Sequence, residues 1–495
     1  MKKYILNHYY ILRHDEKRSY IMSPSDYHIK KPINVNSGWL TKIHPAYAMM
    51  LSFFSCPITI KEAVDNISEF FGVDNQELII DFITKLIEAK EPTYSTMNGF
   101  SSGFPVNLIL EESLEFADRR VYVPSDFSFK DLDFEGNRMY SAPLSIVFMP
   151  NNNCFTDCIY CYADKSKHNS MLSFEKIASF IQEAKNLKVR DILITGGDFF
   201  MFKKWEELLN LLNMNGYSPD LISTKVPLDE YQINIFSKYK IRLQISLDSL
   251  SNDIAKKMLN VSDGYIDKIT DSINTIDKSN IGYQIATVIT SYNCSISEIE
   301  KMAKFIEKLN NVERWEIRIA FKSLYSRSDF KQTKAGRLQI DAIGKWIEEN
   351  KQKFKTKILW SPDDDIKYKK STGGSKNFEG PKCAANISNI VILPDGNVTI
   401  CEQLYWNKNF IIGNILDNNL EEIWTGKKAM SLWKRDIRSI KNDSPCKGCQ
   451  DFKDCFDFGN RCYANIIKAY GNENIDYPDP RCHFAPNFLN SITHE

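Results

Sequence analysis

The chain has 495 residues, 43% hydrophobic and 25% charged, and its 63 basic and 63 acidic side chains cancel. At roughly 100–200 residues per domain, this length calls for several domains. Zero net charge offers no bulk attraction to nucleic acid or to an anionic membrane, and no run approaches the ~18 apolar residues of a membrane span. The opening Met-Lys-Lys-Tyr-Ile-Leu-Asn-His8 lacks the apolar core and small-residue cleavage site of a signal peptide. The expected compartment is therefore the cytoplasm, where the twelve cysteines should be thiols.

Tyr9–Arg13 and Ser19–Met22 flank the charged stretch His14–Arg18 and read as a β-hairpin. Helical patterns follow at Pro45–Ser55, Ile60–Phe71 and Asn75–Ala89. In the last, Leu78, Ile79, Phe82, Ile83 and Leu86 form one apolar stripe. A hairpin followed by three helices predicts a winged-helix-like module over residues 1–90. Taken alone, such a module is as readily a packing domain. No helix carries the dense basic face of a DNA reader. Residues 91–140, with Gly103-Phe-Pro105 and a Tyr/Phe/Asp-rich stretch, read as a linker with some strand.

From Leu144 the rhythm is strand, loop, helix. Candidate strands at 144–149, 191–195, 220–224, 241–247, 283–290 and 313–320 alternate with amphipathic patterns. These lie at Ser173–Leu187, Trp205–Met214, Asp229–Tyr239, Asp263–Asp277 and Ser297–Leu309. Six βα units over 141–322 predict an α/β fold with a parallel sheet and outer helices. In such folds chemistry sits at the carboxyl ends of the strands. Residues 323–375 read as a bridging region, with a helix over Gln339–Phe354, a strand over Lys357–Trp360 and a polar linker at Lys369–Ser375. Residues 376–495 form a cysteine-rich end.

The cysteines cluster. Cys154-Phe-Thr-Asp-Cys158-Ile-Tyr-Cys161 places three thiols within eight residues directly after the first strand. Three thiols in so tight a loop cannot pair as disulfides, but thiolates can turn inward onto one soft centre. A [4Fe–4S] cluster held wholly by protein uses four cysteines, so three would leave one iron open. A zinc site missing one ligand is the plainer alternative. Near the C-terminus stand Cys383, Cys401, Cys446, Cys449, Cys455, Cys462 and Cys482, with Asp395-Gly396 as a hairpin signal between apolar strands. A structural zinc ribbon is the plainer alternative there.

With Tyr160 before its last cysteine, the C-x3-C-x2-C loop resembles the signature of radical S-adenosylmethionine (radical SAM) enzymes, and the six βα units match that superfamily's partial (β/α)6 barrel. The resemblance implies that S-adenosylmethionine binds the open iron and is cleaved to a 5′-deoxyadenosyl radical that abstracts a hydrogen atom. It assigns Gly196-Gly197-Asp198 to the methionine amino group, although the family usually carries Glu where Asp198 stands. Ser223 and Lys225 fall where the methionine carboxylate would be held, with Arg318 as a further partner. Ser246 and Asp248 lie on the ribose-facing strand, and Ala286–Thr290 with Asn293 would face the adenine.

The C-terminal cysteines resemble a SPASM domain, which holds two auxiliary Fe–S clusters of the [4Fe–4S] type. By that resemblance Cys446, Cys449, Cys455 and Cys482 hold the outer cluster. Cys383, Cys401 and Cys462 would hold the inner one, whose fourth ligand is a substrate thiolate, Cys294 or a non-cysteine group. Six residues separate Cys455 from Cys462, where the common pattern has three. In this setting the N-terminal module resembles the precursor-recognition domain of ribosomal-peptide maturases, whose hairpin edge pairs with an extended leader peptide.

The expectation is a cytoplasmic oxidoreductase that modifies a ribosomally made precursor peptide, with a reductant such as flavodoxin or ferredoxin. Thioether formation is the leading product. A carbon–carbon or carbon–oxygen crosslink, a maturase of the sulfatase or amine dehydrogenase type, and a non-catalytic peptide-binding metalloprotein are the alternatives.

Overall fold

In the computed structural model, which describes residues 2–24, 35–112, 120–166, 171–219, 221–361, 383–457 and 461–489, the chain divides into two units. One comprises Met1–Leu144 with Asn186–Asp191, the other Ser145–Lys185 with Ile192–Glu495. The expected linker at Lys369–Ser375 and the first residue of the expected third strand, Asp220, lie outside the described residues.

In the N-terminal unit β1 (Tyr4–Leu6) lies apart from the hairpin formed by β2 (Ile11–His14) and β3 (Ser19–Met22). An unexpected third strand, β4 (Leu40–Ile43), joins them in the order β2-β3-β4, all antiparallel. Helices α1 (Pro45–Ser52), α2 (Ile60–Phe71) and α3 (Glu77–Glu88) follow. A reciprocal Thr59–Glu62 capping box starts α2, and Gly72 at φ +63° ends it. Ile79, Phe82, Ile83 and Leu86 of the predicted stripe are buried, whereas Leu78 is exposed.

The expected linker over 91–140 is corrected by the structure. β5 (Thr93–Met97) and β6 (Phe100–Phe104) form a hairpin whose two-residue turn, Asn98-Gly99, has both φ positive, as such turns require. β7 (Ile109–Glu111) pairs with β1. Residues 140–141 are tied to the first hairpin because the buried Asp15 carboxylate accepts from the Tyr140 and Ser141 amides, each at 2.9 Å. The segment thus belongs to the N-terminal unit.

In the second unit the barrel strands are β8 (Ser145–Phe148), β9 (Asp191–Ile194), β10 (Leu221–Thr224), β11 (Arg242–Ser246), β12 (Tyr283–Ile289) and β13 (Val312–Ile319), each within a residue or so of expectation. The helices at Phe174–Asn186, Trp205–Met214, Glu230–Tyr239, Tyr265–Lys278 and Ile296–Ile306 match as well; Asn252–Leu259 is a helix that no pattern predicted. β10 to β13 run parallel in order, and β14 (Lys357–Ser361) extends them, parallel to β13. A second sheet has the order β17-β16-β15-β8-β9, with β15 (Asn389–Ile392), β16 (Asn397–Thr399) and β17 (Ile411–Asn414). β15 runs parallel to β8, and β15–β16 is the hairpin predicted at Asp395-Gly396. Strand edges attract further strands unless covered. The bridging and C-terminal segments cover them here, so both are built onto the barrel sheets. Among the described residues, no helix is long and apolar enough to cross a membrane.

Candidate functional site

The cysteine loop leaves the end of β8 and is held by backbone contacts. The Asp157 and Ile159 amides donate to the carbonyls of Leu259 and Met258 at 2.9 Å each, at the carboxyl end of helix Asn252–Leu259. On its other side the loop's approach, Asn151–Asn153, lies against the loop that follows β9. Gly197 N–H donates to Asn151 O at 2.9 Å and Asp198 N–H to Asn153 O at 2.7 Å. A Cβ on Gly197 would stand 2.1 Å from Asn153 O. One on Gly196, at φ +113°, would stand 2.6 Å from Asn151 O. The glycines are therefore required by the cysteine loop itself, whatever ligand lies above them.

Cys154 is accessible, yet protein surrounds it on most sides. That loss of solvation pushes its thiol up to about 11, with the facing Cys161 and Cys158 adding to the shift. Three thiols in one shared environment suit a common thiophilic centre.

Around the loop stands a polar wall. Asp198 and Asp248, the carboxylates expected at the cofactor, both accept hydrogen bonds from neighbouring protein groups. Asp198 accepts from the Thr224 hydroxyl and the Lys225 amide at 2.9 Å, and from the Phe200 amide at 3.2 Å. Its side chain joins the ends of β9 and β10, which lie in different sheets. Asp248 accepts from Tyr160 OH at 2.5 Å, Val288 N–H at 2.8 Å and Lys225 Nζ at 3.3 Å. Both carboxylates hold their neighbours in place, each with three protein donors on its two oxygens. Burial works to lower the Lys225 pKa, but Asp248 and the Cys158 thiol outweigh it and raise the ammonium above its usual value.

Ser223, exposed, begins a ladder across the strands: Gln244 donates to it at 2.9 Å, and Gln284 donates to Gln244 at 2.6 Å and to Glu316 at 3.3 Å. Arg318 Nε donates to Glu316 at 2.8 Å while its side chain stays half-exposed. Ser246 is buried at the end of β11. Thr290 N–H donates to Asn293, whose amide donates to the carbonyls of Asp248 and Val288; Asn293 thus shapes the β12 end from within.

The seven C-terminal thiols fall into two environments. Cys401, pushed up to about 12 by burial, feels Cys383 and Cys462, and Cys462 in turn feels Cys383. Cys455, also pushed up to about 12 by burial, feels Cys446, Cys482 and Cys449. Cys294 is buried, its thiol lies against the Ser291 carbonyl at 3.5 Å, and burial pushes that thiol up. All twelve cysteines are free thiols. Among the described residues no three His, Cys, Asp or Glu side chains converge on a single-ion site; what each group of thiols shares is an environment.

Sequence reasoning missed three charged residues beside these thiols. Asp479, buried, accepts the Cys462 amide at 2.9 Å and Arg481 at 2.7 Å. Arg461 is buried against Cys446. Burial pushes the Glu402 carboxyl up, with Arg318 opposing. Adjacency to Cys462 and Cys401 was the only signal for the last two.

The Radical SAM superfamily model matches residues 148–306, and the SPASM iron–sulfur cluster-binding domain model matches 383–450, ending before Cys455, Cys462 and Cys482. GTP 3′,8-cyclase of Clostridium botulinum is 28% identical over 148 residues, covering 29% of this chain and 44% of the cyclase. An uncharacterized protein of Methanocaldococcus jannaschii is 29% identical over 169 residues, 32% of this chain and 57% of its own. The chain thus spans about half the length of these curated relatives. Streptococcus suis SuiB, solved bound to the precursor peptide SuiA, shares the fold with a TM-score of 0.64 at 16% identity, covering 97% of this chain and 99% of SuiB. Residues 148–306 thus carry a Radical SAM superfamily domain and residues 383–450 a SPASM iron–sulfur cluster-binding domain, and S-adenosylmethionine and iron–sulfur clusters are the cofactors that those domains imply.

Proposed function

We propose that the protein is a peptide maturase that modifies a ribosomally made precursor by hydrogen abstraction, forming a thioether. The observation that carries the reading is the sorting of ten thiols into a loop group and two C-terminal groups, beside a barrel whose loop glycines are sterically required. Cys154, Cys158 and Cys161 would hold the S-adenosylmethionine-binding cluster; Cys446, Cys449, Cys455 and Cys482 the outer auxiliary cluster; and Cys383, Cys401 and Cys462 the inner one. When bound, the reduced loop cluster and S-adenosylmethionine supply a carbon-centred radical, and the protein positions and excludes water.

In this reading Gly196-Gly197, Ser223, Lys225, Ser246 and Arg318 bind S-adenosylmethionine, with Lys225 aimed by Asp248 and the β9–β10 junction held by Asp198. The inner group has three cysteines, which leaves a place for a substrate thiolate and favours a thioether over other crosslinks. The three-stranded sheet and three helices of the N-terminal unit support a leader-binding role, as does fold likeness to SuiB, solved with its precursor peptide. The reductant in this reading would be a flavodoxin or ferredoxin of the cytoplasm.

Anaerobic reconstitution followed by S-adenosylmethionine and dithionite tests the reading. 5′-Deoxyadenosine and about twelve irons per chain, for three four-iron clusters, are expected. Absence of 5′-deoxyadenosine overturns it, and about four irons removes both auxiliary clusters. Mass spectrometry of enzyme co-expressed with a short cysteine-containing precursor tests the product: loss of two hydrogens without iodoacetamide-reactive thiol supports a thioether, and the same loss with the thiol intact points to a carbon–carbon or carbon–oxygen bond.

A further inference from the structure

The two C-terminal thiol groups meet at Arg461. One peptide bond separates it from Cys462 of the three-thiol group, and its Nη1 donates to Cys446 Sγ of the four-thiol group at 3.3 Å. The residue is 5% exposed. Nη2 donates to the carbonyls of Tyr477 at 2.6 Å and Ile475 at 3.2 Å, and the guanidinium lies 5.8 Å from the Tyr463 ring centroid. Carbonyls and ring thus fix the plane of the cation and direct one N–H at the sulfur. A buried cation is costly unless an anion faces it, and the thiols whose charge bears on this one are Cys446 and Cys455.

Hydrogen bonds to the sulfurs and net charge help set the potential of an iron–sulfur cluster. A reduced cluster carries one more negative charge than an oxidised one, so a fixed cation and an N–H···S bond favour reduction. We infer that Arg461 raises the reduction potential of the outer auxiliary cluster through its hydrogen bond to Cys446. This rests on the ligand sets proposed above. Arg461 acts through Cys446 and is a positioning residue; it touches no substrate.

The test uses the full-length reconstituted enzyme, with Arg461→Met to remove charge and donor and Arg461→Lys to keep the charge without the planar fork. Reductive titration followed by electron paramagnetic resonance should show the outer cluster of Arg461→Met at least tenfold less reduced at a fixed poise, about 59 mV for a one-electron couple. Arg461→Lys should fall between, and the inner and loop clusters should not move. Sulfur K-edge absorption should show greater iron–sulfur covalency in Arg461→Met than in the unaltered protein. Unchanged midpoints, equal shifts in all clusters, or loss of the outer cluster in both variants would overturn the inference, the last in favour of a purely structural arginine. About four irons in the unaltered enzyme would overturn the cluster reading as well, whereas about twelve irons with unshifted variants would overturn only the role of Arg461.

Discussion

The two thiol-bearing regions are held in different ways. Around Cys154–Cys161 the protein uses backbone, with amides donating to helix carbonyls and a glycine pair that lets two loops touch, and adds surface ion pairs from Lys165 and Arg327 to Asp157. Around the C-terminal thiols it uses buried charge, with Arg461 on Cys446 and the Asp479–Arg481 pair on Cys462. The first loop leaves Cys154 exposed, which suits a centre that must admit a cofactor and a substrate. Charged side chains stand beside the C-terminal thiols, and Cys446 of the outer group is buried, which suits a centre that passes or stores electrons.

The strongest challenge to this contrast is Gly197→Ala. Its Cβ meets a backbone oxygen that cannot rotate away, so about 3 kcal/mol of destabilisation is expected, the upper part of the overpacking range. It should come with loss of the loop's share of iron while the C-terminal clusters remain, as checked by iron content and thermal unfolding. Asp479→Asn should do the reverse. Arg481 keeps about a fifth of its side chain in solvent, so breaking this pair should cost about 2 kcal/mol, less than a fully buried pair. It should loosen the inner group and leave S-adenosylmethionine cleavage intact. Both losses falling on one region would end the contrast.

Lys225→Met probes the wall of the open site. Iron content should hold, while 5′-deoxyadenosine formation falls about 10–100-fold, the usual effect of losing such a supporting group; an unchanged rate would remove Lys225 from the site.

The smallest effect is a pH slope in the metal-free protein. Cys154 and Cys462 titrate at about 11 and Cys401 and Cys455 at about 12, against an ordinary 9.0. A raised folded pKa stabilises the fold below pH 9, and that advantage is lost as pH rises through the folded values. Stability should therefore fall between pH 9 and 12. Cys401→Ser should remove more of that slope than Cys154→Ser, as read from chemical denaturation; the opposite order would count against the enclosure of the C-terminal thiols.

Much of the barrel was legible because parallel strands buried on both faces read as continuous apolar runs, and each run here is followed by an amphipathic helix. The Asn98-Gly99 turn was equally legible but lay within a stretch read as linker. Asp15 and Arg18 misled differently. In sequence they look like a solvated charged turn; in the fold both are fully buried, with Asp15 capping the amides of residues 140–141.

The sequence alone determined the three-thiol loop, the individual strands and helices that follow it and the hairpin at Asp395-Gly396, because each depends on residues within a few positions of one another. Only the tertiary structure decided that Asp198 and Asp248 face protein donors, and that β14 and β15 cover the two edges of the barrel sheets. It also brought Arg461 against Cys446. Each of these depends on which distant groups meet in space, and the spacing of residues along the chain carries no such information.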